Sequence, residues 1–321
     1  TIHVTSSADT TLSTSGTAPF TSDTTTVLTL DHVTMGSNVV GDFGGHVYVG
    51  ESASLVATTV SWANGTAGRG GGAIYSADGS MSVSMIGVDV RDNRNTAIVF
   101  EGKDFTMVDS LLWGNHADRT SSDGGGAIQI RNRANATLLR SKFRQNIATN
   151  KEGGDVACTE MSSCLFDLCS FLGGTTTTSA NANDAADAAT SLSGLLGTLL
   201  PSKGGAVAVT GESTATILRT TFNGTHAKIG GGAIYASYST LHLHEVFVTG
   251  ARSNKGAALL LENANEVDVA DTEFRRCESV YDGGAIHATA SLVRARRLIL
   301  LENRAGIFGG AVLISERAEM D

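Results

Sequence analysis

With 321 residues, a net charge of -9 and lysines and arginines that form no stripe or block, the chain lacks the basic surface needed to hold nucleic acid or an anionic membrane. Its 38 glycines, 2 prolines and 6% aromatic content, beside abundant Ser and Thr, are poor material for long helices and suit thin stacked strands with many tight turns. No run of 18 apolar residues occurs, so no membrane insertion is expected.

Residues 1–43 are Thr-rich and irregular and form a cap or first rung, with alternation at Thr26 to Leu30 and His32 to Thr34. From Gly44 onward a Gly-Gly-Ala-(Ile/Val) phrase returns. Set on the residue before the Ala, its anchors are Gly45, Gly72, Thr96, Gly126, Gly154, Gly205, Gly232, Gly256, Gly284 and Gly310. The steps run from 24 to 30 residues, except for one double step of 51 between Gly154 and Gly205, which holds either a further rung or an insertion. Three short strands and three bends use up such a period, whereas helical repeats need about 33 to 47 residues. The expected fold is all-β: one right-handed parallel β-helix of about ten rungs spanning 1–321, a solenoid in which only stacking can supply a core.

Within the phrase, one parity is almost wholly apolar: Ile74 and Ser76, Ile128 and Ile130, Val207 and Val209, Ile234 and Ala236, Ala258 and Leu260, Ile286 and Ala288, Val312 and Ile314. That parity should face the core. The residue between varies freely (Tyr75, Gln129, Ala208, Tyr235, Leu259, His287, Leu313), as a solvent face does. In its carboxy-terminal half, Tyr235, Leu259, His287 and Leu313 make a contiguous, weakly polar stripe that should contact another subunit or the chain's own helix.

A second phrase, an apolar residue followed three positions later by Asn, precedes most anchors: Val90 to Asn93, Leu112 to Asn115, Phe143 to Asn146 and Leu300 to Asn303, with decayed copies at Phe222 to Thr225 and Phe274 to Cys277. Stacked asparagines would satisfy turn backbone groups from rung to rung.

The two phrases together resemble the repeats of the polymorphic outer membrane proteins of chlamydiae, whose passenger domains carry a Gly-Gly-Ala-(Ile/Leu/Val) and a Phe-x-x-Asn motif. The matching residues are Gly71 to Ile74, Gly125 to Ile128, Gly204 to Val207, Gly231 to Ile234, Gly283 to Ile286 and Gly309 to Val312, and Phe143 with Asn146 is the one intact second motif. The resemblance implies a right-handed β-helix displayed at a cell surface and used in adhesion. Several copies here have lost the Phe or the Asn.

Residues 173–203 are a low-complexity insertion. Leu192, Leu195, Leu196, Leu199 and Leu200 form the stripe of an amphipathic helix near residues 190–200, stopped by Pro201, which packs either on its own protein or on a partner. Among Cys158, Cys164 and Cys169 two readings stand, a disulfide in an oxidising compartment or buried small hydrophobes. Three N-glycosylation sequons occur, with Asn135 and Asn223 beside bends and Asn64 at the ladder position, where it would be shielded.

Sites for chemistry are thin. Glu245, Glu262, Asp268, Asp271 and Glu273 sit among Arg275, Arg276, Arg294, Arg296 and Arg297, a mixture that surface ion pairing explains. His242 and His244 share a strand face without a third ligand, and no glycine phrase ends in Gly-Lys-(Ser/Thr). No catalytic residue, metal or cofactor is assigned. The expected function is that of an extracellular structural or adhesive protein, a subunit of a cell-surface filament or appendage whose partners are other protein subunits. The alternative is a polysaccharide-binding or polysaccharide-cleaving protein of pectin-lyase-like fold, with glycans as partners.

Overall fold

The computed structural model describes residues 2–4, 26–117, 124–149, 151–177, 202–316 and 318–320. The leucine stripe of residues 192–200 lies outside them. The described residues form a parallel β-helix. A first sheet of 11 strands carries the glycine phrases, a second has 11 strands, a third has 10, and short strands close the fourth side. A single turn shows the plan: Ile98–Phe100, Asp104–Val108, Leu111–Trp113 and His116–Ala117. Thr26–Asp31 and Thr34–Gly36 already pair with the next turn, and Ile2–Val4 pairs with Val47–Val49, so regular stacking begins inside the stretch expected to be irregular.

The register is that of the phrase. Ile74, Ile98, Ile128, Val156, Val207, Ile234, Leu259, Ile286 and Val312 lie in one column. Across the double step, Val156 pairs with Val207, Phe171 with Phe222 and Thr175 with His226. No rung is missing, so the extra length is an insertion between Thr177 and Ser202.

One rung departs from the expected parity. Leu259, not Ala258, stands opposite Ile234, so Leu259 and Leu261 point inward and Leu260 outward. In Gly256-Ala257-Ala258-Leu259 an Ala replaces the second glycine, and the true anchor is Ala257. Because strand side chains alternate, a one-residue slip exchanges the two faces.

The core is a set of stacked columns. On the third sheet Trp62, Val90, Leu112, Phe143, Phe171, Phe222, Val248 and Phe274 are fully buried. Phe143, Phe171 and Phe222 stack with ring centroids 4.7 Å apart at each step. Burying each such ring contributes about 2 to 3 kcal/mol.

The two glycines act differently. Gly71 has a φ of +68°, and a Cβ on Gly72 would meet the Arg94 carbonyl oxygen at 2.2 Å. The first glycine supplies the left-handed bend and the second lets neighbouring rungs approach.

The asparagines form the expected ladder. Asn93 Nδ2 donates to Asn115 Oδ1 and Asn115 Nδ2 to Asn146 Oδ1, both at 3.0 Å, while each Oδ1 also accepts the backbone N–H of the preceding rung. Two rungs have Gly65 and Gly174 in the ladder position, and each gap is filled by a polar residue that replaces the Ala of the phrase. Asn38 Nδ2 donates to His46 Nδ1 at 2.7 Å, and Asn146 Nδ2 donates to Asp155 Oδ1 at 2.7 Å. A Cβ at Gly65 would lie 2.6 Å from His46 Nε2, and one at Gly174 would lie 2.0 Å from Asp155 Oδ2. At Gly65 and Gly174 the Asn is lost because another polar side chain takes its space.

Candidate functional site

The outward face of the first sheet is where the stripe was expected. Its members in register are Tyr235, Leu260, His287 and Leu313; Leu259 belongs to the core. The face is not bare. Tyr75, Val99, Gln129, Ala157, Ala208, Tyr235, Leu260 and His287 are all buried. The segments leading into the glycine phrases fold back and stack on one another, with bridges at Phe43–Gly70, Lys203–Gly230, Gly230–Lys255 and Asp282–Phe308. They make a lip over the sheet. Phe43 lies 4.3 Å from the Tyr75 ring, and a Cβ on Gly230 would meet Leu260 Cδ2 at 2.3 Å. Ala208, Tyr235 and Leu260 form a small apolar cluster of their own beneath it.

Under the lip, two tyrosines hold acid–cation pairs in equivalent places. Tyr75 hydrogen-bonds Glu101 of the next rung, and Arg131 Nε of the rung after donates to Glu101 at 2.6 Å. Tyr235 donates to Glu262 Oε2 of the next rung at 2.9 Å, while Lys203 reaches the same carboxylate and stands 4.7 Å from the Tyr235 ring centroid. Burial, reinforced by the carboxylates, pushes both phenols well above their ordinary value.

Glu152 keeps part of its surface in water, but its carboxyl is deep. Desolvation pushes it up to about 7, with Lys203 opposing and Glu262 reinforcing the rise. Asp155, wholly buried behind the ladder, is raised well above the carboxylate range by desolvation, against the hydrogen bonds from Asn146. Burial lowers His287, aided by Lys255, which favours the neutral ring.

Among the described residues, the second and third sheets carry no such lip. The second sheet presents half-exposed Ser84, Thr106, Thr137 and Thr216. The third presents, in adjacent rungs, Lys142 and Arg144, Ser170 and Leu172, Thr221 and Asn223, Phe247 and Thr249. These eight residues line a shallow depression. Half-buried Trp113 precedes it beside Arg144, with the Arg91 guanidinium over its ring.

The remaining expected residues divide. Cys158 and Cys164 form a buried disulfide joining the first sheet to the second, and Cys169 is a buried free thiol, pushed up to about 11 mainly by burial. Asn135 and Asn223 are exposed, and so is Asn64. Asn64 sits one residue before the ladder, in a left-handed corner with φ of +55°, and Gly65 takes the ladder place. Asp268 and Asp271 pair with His242 and His244, Arg297 clasps Asp271, and Arg294 pairs with Glu266. No group of three His, Cys, Asp or Glu suited to a metal ion occurs among the described residues.

Sequence reasoning missed Glu152, Asp155, His46, Lys203, Glu101 and Arg131. A signal existed for two: His46 and Asp155 each break the Ala of the phrase, and in both cases a glycine follows nineteen residues later at the ladder position. No protein-family model, curated protein or solved structure matches the chain.

Proposed function

We propose that the chain is an extracellular structural rod that acts by adhesion, as a subunit of a cell-surface filament or appendage. The observation that carries this reading is the parallel register that the first, second and third sheets keep from rung to rung between Thr26 and Ser315, which fixes the inward residues and leaves the outward ones of the second and third sheets free to vary. A rod so held by backbone hydrogen bonds is stiff, and its bare sides are available for recognition. The Cys158–Cys164 disulfide and the exposed sequon at Asn223 suit an oxidising, glycosylating compartment.

Two measurements test it. Antibody against the chain should label unpermeabilised cells of its source, with filaments or appendages decorated under electron microscopy. Labelling only after permeabilisation would overturn the proposal.

A further inference from the structure

We propose that the third-sheet depression binds an acidic polysaccharide chain. The inference deepens the adhesive reading, on which it rests for its biological setting.

Charge comes first. On a chain of net charge -9, most arginines near this face are neutralised: Arg140 by Asp109, Arg219 by Asp167 and Arg275 by Glu273. Lys142 and Arg144 are exposed and have no carboxylate within 4.0 Å among the described residues. At physiological ionic strength charges are screened beyond about 8 Å, so a ligand in the depression feels this cation pair more than the net charge of the rod.

Shape and chemistry then narrow the ligand. The floor between Lys142 and Phe247 is made of the short hydroxyl side chains of Ser170 and Thr221, and Asn223 and Thr249 add an amide and a hydroxyl at its side. Phe247 stands at one end, and Trp113, four strand spacings away or about 19 Å, lies one strand beyond the other. Aromatic rings with an apolar face and a polar surround suit the C–H faces of sugar rings, and the hydroxyls and amide suit their hydroxyls. Backbone N–H and C=O groups of this sheet are engaged in its ladder, so a peptide could not add here as a strand. The cations then select a glycan bearing carboxylate or sulfate groups.

The test is titration of the intact chain with polygalacturonate, dextran sulfate, neutral dextran and polyglutamate. The chain should bind at least one of the two acidic polysaccharides about tenfold or more tightly than dextran or polyglutamate. Which of the two it prefers identifies carboxylate or sulfate as the recognised group. The double variant Lys142→Ser/Arg144→Ser should weaken that binding by about tenfold or more, Phe247→Thr by several-fold, and Arg297→Ser, which lies away from the depression, not at all. Equal melting temperatures establish that the variants fold. Failure to bind either acidic polysaccharide, equal binding of polyglutamate, or full binding by the double variant would overturn the inference. If the chain labels the cell surface and yet binds no acidic polysaccharide, the inference falls and the adhesive reading stands.

Discussion

The first and second sheets have the same strand periodicity, and their outward faces live in different environments. Beneath the lip, Leu260 is 1% exposed; on the second sheet, Thr216 keeps part of its surface in water. Alternation along a strand separates the core side from the other side, but it does not say that the other side meets solvent. What decides that is the bend between the fourth and first sheets, whose glycines let each incoming segment lie back across the strands.

Several substitutions would break or sharpen this contrast, and the largest effect belongs to the covered face. Leu260→Asp should destabilise the rod by about 4 kcal/mol or more in denaturant melts, because a carboxylate would be buried without a partner. The same charge placed by Thr216→Asp should change stability by less than about 0.5 kcal/mol. Similar losses for both variants would mean that the two faces do not differ.

The acids of the covered side add a pH signature. Glu152 has a raised value in the fold, so its contribution is full below the ordinary carboxylate range and is lost as pH rises through about 7. Glu152→Gln should therefore match the wild type near pH 4.5 and exceed it at pH 8, by on the order of 3 kcal/mol. His46, His226 and His287, lowered by burial, act in the opposite direction below their ordinary value, which is why the difference between variant and wild type is the quantity to measure. A difference that stays flat from pH 4.5 to 8 would remove Glu152 from under the lip.

The ladder sets a related scale. Asn115→Ala leaves the Asn93 N–H without a partner in a dry turn and removes a donor to the Val90 carbonyl, at a cost of about 2 kcal/mol in denaturant melts. Asp155→Asn should keep the bridge to Asn146 and remove the pH dependence at that rung. Reduction of Cys158–Cys164, which closes only a short loop between strands already held by their neighbours, should cost roughly 2 kcal/mol in thermal melts.

Most of the architecture was legible because each rung must solve the same two problems, a tight bend and an inward strand. Gly71 with Gly72 and Ile74 with Ser76 show both solutions in plain sequence. Leu259 misled because Ala257 serves as well as glycine at the close approach, and a run of three leucines offers no alternation to correct the frame. The lip escaped notice because its segments, such as Lys203 to Gly204 and Gly230 to Gly231, have no period of their own. The Tyr235–Glu262–Lys203 cluster depends on contacts across two rungs and a loop, and no local pattern encodes that.

Tyrosine nitration, mapped by peptide mass spectrometry on the folded chain, tests the covered face most directly. Tyr75 and Tyr235 are 6% and 4% exposed, whereas Tyr238 and Tyr281 are 58% and 44% exposed. The lip predicts prompt modification of Tyr238 and Tyr281, with Tyr75 and Tyr235 protected until the chain unfolds. Modification of Tyr235 at the rate of Tyr238, only three residues away, would contradict it.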